Sequence, residues 1–440
     1  IKSADFNKGV ASSPESLFNG HIAGVQVTPG SGQPGAKTSV RIRGVNSITA
    51  SSEPLYVIDG VPIDNTRTAV GLDGDAALSN MTMNPLSMIA ASDIESMTVL
   101  KDASATAVFG VKGANGVILI TTKRGREGKA EISVNVNTTM KIPSQLAGKY
   151  DSYEALALRN KAIVRELGLT PSSWDKYTPQ AILNKYRNPA NLEEAERYPN
   201  VDWADILVKD YAMSYNVNTN ITGGTKNVRY FTSVDFLHEG DILKKTDNGK
   251  SYNPEYNFNR VNMRANLDFT LTKSTVLSVN LAGSYGVKQD VYGQDAWEYR
   301  IWQSIYSNPP DAYMPIYSDG SWGYYPADEV STINSASTMA NNGIRKITTK
   351  LVSTDFTLKK DRGLLVKGTS VKGTLSLVNT FKTERGCSAN GNARVKWIGP
   401  DTGEVRYKDM NGTNQFDWYP MPWNVRPESV STNQWGGNDN

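Results

Sequence analysis

The sequence predicts an α+β domain followed by the first strands of an antiparallel transmembrane β-barrel. Three observations carry that reading. Short apolar strands, small residues and one helix-prone stretch fill the first 128 residues. Beyond Lys129 the pattern changes to strict alternation of apolar and polar residues over segments of about 9–11 residues, the length a tilted membrane-spanning strand needs. The connections between those segments are alternately tight and long. Residues 1–128 are accordingly expected to form one unit and residues 129–440 the strand-rich unit.

In the first unit, Ser13-Pro14-Glu15-Ser16-Leu17-Phe18 reads as a cap and a short helix ending at Gly20. Val25–Thr28, Ser39–Ile42, Leu55–Ile58, Ile94–Leu100 and Val117–Thr122 read as strands, most of them bounded by Gly, Pro, Asn or Asp. Asp102–Phe109 is alanine-rich and is expected to be helical. Long loops separate these elements, Asn65–Met83 above all.

In the second unit, Ile132, Val134, Val136, Thr138 and Met140 share one face, while Ser133, Asn135 and Asn137 share the other. Val261, Met263, Ala265, Leu267, Phe269 and Leu271 alternate in the same way with Asn262, Arg264, Asn266, Asp268 and Thr270. Comparable rows run through Tyr215–Ile221, Val228–Leu237, Leu277–Tyr285 and Val371–Phe381, and a weaker one through Ile347–Leu358, which makes seven. Gly223–Asn227 and Leu271–Thr275 are tight turns, whereas Lys141–Ala212, Leu237–Arg260 and Gly286–Arg345 are long. Short turns at one end and long loops at the other are the asymmetry of outer-membrane barrels.

The competing fold is a soluble β-sandwich with one wet face. Against it stand the Asn, Ser, Arg and Asp of the polar row, which suit a water-filled lumen, and loops without the regular turn spacing of a sandwich. A barrel in lipid must close, because an open edge leaves backbone groups unpaired in hydrocarbon. Seven is odd, and below the ~8 strands of the smallest single-chain barrels. The chain is therefore expected to be part of a longer one with further C-terminal strands.

Net charge is +3, from 47 Lys and Arg against 44 Asp and Glu, and no basic run is long enough for a nucleic-acid partner. The single cysteine, Cys387, excludes an intrachain disulfide and a four-thiolate metal site. His21 and His238 are thin material for a metal centre or a catalytic triad. No apolar run reaches the ~18 residues of a spanning helix.

One stretch offers a phosphate cradle at first sight. In AVFGVKGANGVILITTKRG (Ala107–Gly125), Gly110, Gly113 and Gly116 fall at every third position with Lys112 among them. A Walker loop needs GK[ST], which is missing. A dinucleotide fingerprint needs strand, glycines and then helix, so that a helix N-terminus faces the phosphate. Here the order is reversed, and the helix would present its C-terminus, whose partial negative charge repels anions. The glycines read instead as a corner, with Gly110 at a helix C′ position and Asn115-Gly116 turning into the strand. Lys101, Lys112, Lys123 and Arg124 are then solvated or lumen-facing. GLDGD (Gly71–Asp75) spaces two carboxylates as a calcium loop does, but it lacks the later Glu and reads as a polar turn.

KDASATAVFGVKGANGVILITTKRG resembles the plug-domain signature of SusC/RagA-type TonB-dependent transporters of Bacteroidetes outer membranes. So do SVRIRGVNSITASSEPLYVIDGVPID (Ser39–Asp64), LFNGHIAGVQVTPGSGQPG (Leu17–Gly35) and NPLSMIAASDIESMTVLKDASA, and together they cover nearly all of residues 10–125. The plug-signature positions, structural in role, are Arg41, Arg43, Gly44, Asp59, Gly60, Lys101, Asp102, Gly110, Gly113, Asn115 and Gly116. VDWADILVKDYAMSYNVNTNITGGTKNVRYFTSVDFLHEG (Val201–Gly240) looks like the family's second and third barrel strands. Phe109 and Val111-Lys112 depart from the family's usual Tyr and Ser-Arg, and His21 stands where Arg is frequent. None of these removes a catalytic group, since the family has none.

The resemblance implies a barrel of about 22 strands, seven of them in this chain, filled by residues 1–128 as a plug. It implies active import of oligosaccharide or peptide across the bacterial outer membrane, with no enzymatic activity and no cofactor. A SusD-like lipoprotein would cap the extracellular mouth, and the TonB–ExbB–ExbD complex would pull on the plug from the periplasm. The TonB box would lie before Ile1, and most of the barrel beyond Asn440.

Tyr292–Tyr325 is dense in aromatic residues, and Trp297, Trp302, Tyr306, Tyr313, Trp322, Tyr324 and Tyr325 are the candidates for holding cargo. An aromatic ring offers a sugar ring a flat apolar face beside a polar edge. The same rings suit packing of the loop itself or contact with the lid. Trp397–Trp435, with Trp418, Tyr419 and Trp423, shares that ambiguity, and plug loops Val45–Glu53 and Asn65–Asn80 would face the same cavity. The alternative function is a β-rich surface adhesin without transport. A soluble enzyme is disfavoured by the scarcity of histidine, with carboxylates such as Asp59 and Asp64 as its remaining groups.

Overall fold

The computed structural model describes residues 9–10, 13–29, 32–36, 38–42, 44, 53–63, 86, 89–146, 148–166, 171–245, 253–291, 299–326, 332–361, 369–388, 394–408 and 430–435. Its N-terminal part holds two sheets. β1 (Val25–Pro29) pairs antiparallel with β2 (Thr38–Ile42). β3 (Leu55–Ile58), β4 (Val61–Ile63), β5 (Ile94–Leu100) and β6 (Val117–Thr122) form the other, in the order β4-β3-β6-β5. Within it β3 and β6 run parallel, and their continuous apolar runs LYVI and VILI follow from burial as central strands. Ile42, Tyr56, Ile58, Ile94, Ile118 and Ile120 join the core between the two sheets.

The five expected strands are present, and β4 is additional. Ile58 pairs with Val61 across a two-residue turn, Asp59-Gly60, in which both residues have positive φ (51° and 92°). That is the conformation an Asp-Gly hairpin turn favours. At three residues including Pro62, β4 is too short for alternation to reveal it. The Ser13–Phe18 segment is a 3-10 helix over Pro14–Phe18.

The helix expected over Asp102–Phe109 needs correction. One α-helical turn spans Ala103–Thr106, and a 3-10 segment follows over Ala107–Gly113, broken at Gly110 (φ 57°, ψ −146°). Thr106, Val108 and Phe109 favour helix weakly, and the glycine interrupts the ladder before a second α-turn can form. Gly116 (φ 89°) then delivers the chain into β6, its carbonyl accepting from Leu55 N at 3.0 Å.

From Gly128 onward one antiparallel sheet dominates. It contains β7 (Gly128–Lys141), β8 (Ala212–Gly224), β9 (Val228–Gly240), β10 (Asn257–Thr272) and β11 (Thr275–Val291). After a short β12 (Trp322–Gly323) it continues with β13 (Gly343–Asp361) and β14 (Ser370–Ser388). β15 (Val395–Ile398) and β16 (Val405–Lys408) join β12 in a separate three-stranded sheet, and β17 (Val430–Trp435) closes the described edge of the large one. The order is β7-β8-β9-β10-β11-β13-β14-β17. Its seven long strands are the seven read from alternation; the short β17 was not foreseen.

The two faces are inverted relative to a water-soluble sheet. Asn218, Asn220, Ser233, Asp235, Asn262, Arg264, Asn266 and Asp268 are buried, while Tyr215, Val234, Phe236, Met263, Leu281 and Phe356 are exposed. A sandwich would place the apolar set inside. Several of the polar set lie against the N-terminal domain.

The connections at one end are tight and those at the other carry structure of their own. Residues 142–211 fold into helices Ser152–Glu166, Gln180–Arg187, Leu192–Arg197 and Trp203–Leu207, the last capped by the Asp202 carboxylate on Ala204 N and Asp205 N. Helices Tyr299–Ser307 and Ser335–Asn341 lie between β11 and β13. Trp203, Leu207, Ile301, Ile305, Tyr313 and Met339 form a shared core among these loops. Among the described residues, no helix is long and apolar enough to cross a membrane.

Candidate functional site

The end of β6 is fastened to the barrel wall residue by residue. Thr122 donates from its backbone N and its Oγ1 to the Asp59 carboxylate, at 2.9 and 2.6 Å. Asn266 Nδ2, on β10, donates to Thr122 Oγ1 (2.8 Å) and to Lys123 O (2.7 Å). Arg124 Nη1 pairs with Asp268 at 2.9 Å, and Nη2 donates to Asn280 Oδ1 at 3.2 Å. Arg264 stands 3.9 Å from the Asp59 carboxylate. The Asp-Gly turn thus reverses the chain and also carries the carboxylate that meets the wall.

A second fastening uses Asp93, which is buried at the start of β5. Ser233 Oγ donates to one of its oxygens at 2.6 Å, and Asn218 Nδ2 lies 3.5 Å from the other. Burial pushes the Asp93 carboxyl above its usual range; the Ser233 hydrogen bond and Arg264 pull the other way, and nearby Asp235 adds to the rise. A third contact joins Gly35 N to Glu239 Oε2 at 2.9 Å, with Lys141 Nζ on the other carboxylate oxygen at 2.5 Å. The bonds that join the two across the seam are polar. Such an interface is held by many modest bonds that water can replace one at a time.

Several of the plug-signature positions make local contacts within the N-terminal domain. Lys101 Nζ donates to Ala23 O, and Asn115 Nδ2 to Glu53 O at 3.4 Å. The Asp102 carbonyl accepts from Ala105 N and Thr106 N, both at 3.0 Å. A Cβ on Gly113 would meet Thr106 O at 2.8 Å, and one on Gly116 would meet Ile42 Cδ1 at 2.8 Å. Gly44 and Gly60 have positive φ, and Arg41 is exposed on β2. Arg43, the loop Asn65–Met83 with its GLDGD run, and Val45–Ser52 lie outside the described residues.

The aromatic candidates divide. Tyr313 is fully buried, edge-on to Trp203 at 5.4 Å, its hydroxyl donating to Thr332 O and accepting from Asn308 Nδ2, both at 2.9 Å. Burial pushes the Tyr313 hydroxyl pKa upward. Trp322 is buried in β12, and Trp302 and Tyr325 pack half-buried on the same core. Tyr324 is half-buried, its backbone N donating to Lys396 O at 3.3 Å. Tyr306 is 57% exposed. Trp297 lies outside the described residues. The loops are further joined by Lys396, which stands 3.2 Å from Asp319 and 3.7 Å from Glu196, and by Arg197, which donates to Pro400 O and Asp401 O at 3.0 Å each.

The fastening residues Asp93, Thr122, Ser233 and Asn266 were not singled out from the sequence as a site. The polar row on β10 was the signal that could have found the barrel side. Among the described residues, no three His, Cys, Asp or Glu side chains group as metal ligands would.

Residues 1–117 match the model of the TonB-dependent receptor plug domain. Over 288 residues the chain is 33% identical to TonB-dependent receptor P26 of Formosa agariphila, a match spanning 65% of this chain and 24% of that protein. Over 247 residues it is 36% identical to TonB-dependent receptor SusC of Bacteroides thetaiotaomicron, spanning 56% and 21%. Among solved structures, the RagAB peptide importer in its closed-closed state superposes with a TM-score of 0.63 at 20% identity, covering 89% of this chain and 42% of that one. That likeness is one of fold. The chain spans about a quarter of the length of the curated relatives it matches.

Proposed function

The chain belongs to the TonB-dependent receptors of the SusC/RagA type, and on that ground we propose that it supplies the plug and first barrel strands of an outer-membrane importer. Residues 1–128 are the plug, and residues 129–440 are barrel wall and its extracellular loops. The observation that carries this reading is the inverted sheet: apolar side chains face outward as lipid requires, while Ser233 and Asn266 of the inward polar row bond to the plug. A plug held by separate polar bonds stays seated at rest and yields to a pull from the periplasm. TonB, driven by ExbB–ExbD, supplies that pull in this reading.

The cargo is an oligosaccharide or a peptide, delivered from a SusD-like lipoprotein over the long-loop end. The well-packed loop core suits a mouth against which a lid can close. No step in this reading requires bond-making chemistry, so the protein acts as a transporter and not as an enzyme. The test is deletion of the gene, followed by measured uptake of a panel of glycans and peptides and by fractionation of the tagged protein. Loss of uptake for one class, with the protein in the outer membrane, is expected. Binding of partners at the cell surface with every uptake rate unchanged would favour an adhesin instead.

A further inference from the structure

The connection between β7 and β8 carries a surface built from rings and amides. Trp174, in the 3-10 segment Pro171–Lys176, stacks on Tyr177 with ring centres 4.6 Å apart and planes 17° from parallel. The stack covers one face of the indole and fixes its orientation, yet Trp174 remains 50% exposed. The backbone beside it is held as well. Asn160, buried on helix Ser152–Glu166, donates from Nδ2 to Thr178 O at 2.7 Å and accepts from Thr178 N at 2.9 Å. A ring locked in this way loses little conformational freedom when a ligand stacks on its open face.

The neighbouring groups are arranged for hydroxyls. Gln180, Asn184 and Arg187 fall at i, i+4 and i+7 of helix Gln180–Arg187 and share an exposed face, while Leu183 and Tyr186 turn into the core. Gln180 Nε2 donates to the Tyr153 hydroxyl at 3.2 Å and to Asn184 Oδ1 at 3.0 Å. Both hydrogens of that amide are then used, which leaves Gln180 Oε1 as an acceptor beside the Asn184 Nδ2 donors. An acceptor and a donor side by side match two neighbouring hydroxyls of a sugar ring. Arg187 lies over the Tyr153 ring at 3.7 Å, which fixes its guanidinium against a flat support. The two patches are anchored on helix Ser152–Glu166 at Asn160 and Tyr153, two turns or about 10 Å apart. That span calls for an oligosaccharide and not a single sugar. Flat rings and amides suit a polyhydroxyl chain, whereas the usual modes of peptide recognition rely on a strand edge, an apolar groove or a charge cluster.

Resting on the import reading above, which puts the long loops at the extracellular end, we infer that this surface is a capture site for oligosaccharide cargo. One sugar ring stacks on the open face of Trp174. The Gln180–Asn184 pair takes vicinal hydroxyls of another unit along the chain, and the Arg187 guanidinium donates to oxygens beyond them. The choice between oligosaccharide and peptide cargo thereby falls to oligosaccharide.

The test uses the receptor extracted from outer membranes in detergent and titrated calorimetrically with the hexasaccharides of the malto, cello, xylo, manno and galacturono series in turn. At least one is expected to bind, and a tryptic digest of casein should not displace it. Trp174→Ala should weaken that binding roughly ten-fold or more, and Trp174→Phe by less, since a smaller flat face remains. Gln180→Ala should fall between the two, and heat-modifiable gel migration verifies that each variant is folded. Absence of binding to every saccharide, equal affinity in folded Trp174→Ala, or displacement by the digest would overturn the assignment. Because the readout is saccharide on purified protein, a negative result leaves the tests of membrane location and gene-dependent uptake to be judged separately.

Discussion

A Cβ on Gly125 would stand 2.2 Å from the backbone nitrogen of Tyr230, so the chain leaving the plug lies directly on the backbone of β9. The contact comes one residue after Arg124 has paired with Asp268 and three after Thr122 has accepted from Asn266. Plug and wall meet here through main chain as well as side chains. Rotamer changes cannot relieve a clash with backbone, so Gly125→Ala should destabilise the junction by about 1–3 kcal/mol or more. Gly148→Ala, at a position with nothing within 4 Å, should be close to neutral. The temperature at which the folded band disappears on a semi-native gel measures both.

The glycine corner should respond unequally along its length. Gly116 has positive φ, and a Cβ there meets Ile42; Gly110 has positive φ but open space around it. Gly110→Val therefore carries backbone strain of about 1–3 kcal/mol. Gly116→Val adds overpacking against a fully buried core residue to a similar strain. Limited proteolysis of the plug should show greater susceptibility for Gly116→Val. The reverse order would place the corner's importance in contacts absent from this account.

Asp93 gives the seam a pH dependence. Its folded-state pKa lies above the ordinary carboxylate range, chiefly because burial penalises the carboxylate. Protons are therefore bound more tightly in the folded state, and the contribution to stability is full below the unfolded pKa and is lost as pH rises through the folded one. Arg264, Asp235, Ser233 and Asn218 are the groups that face it. Unfolding of the wild type compared with Asp93→Asn should show the wild type gaining relative stability as pH is lowered from about 7 towards about 4. A difference independent of pH would mean that Asp93 titrates as an ordinary exposed carboxyl.

The aromatic loop separates packing from contact. Tyr313→Ala empties a buried site and removes one hydrogen bond each from Asn308 and Thr332, a loss of about 3–5 kcal/mol to the loop core. Tyr306→Ala removes a ring that is already mostly in water and should leave loop stability within about 0.5 kcal/mol. If Tyr306 holds cargo, its variant should raise the half-saturating concentration for uptake without altering protease resistance.

Alternation made the long strands legible, because inward and outward environments differ along every one of them. It did not reveal Phe231 and Leu237, apolar residues that are buried. β4 and β12 are too short to carry a period. The helices of residues 142–211 went unread because Leu156 and Ile163, two turns apart, are buried while the neighbouring Leu158 and Val164 are exposed, so apolar residues do not mark a single face. The glycine corner was recognisable as a turn, yet the weight of Gly125 was not, since Tyr230 is remote in sequence. For the same reason the pairing of Thr122 with Asn266 could not be read: each residue looks like an ordinary polar side chain until the sheet is folded around the plug. Membership of the family was legible in the plug signatures themselves.

Energised uptake tests the central claim most directly. Cells carrying or lacking the gene are given labelled oligosaccharides and peptides, with and without a protonophore that collapses the inner-membrane gradient. The account predicts that one class accumulates only when both the gene and the gradient are present. Accumulation that persists at the same rate without the gene, or that proceeds through this protein unchanged after the gradient collapses, would contradict it.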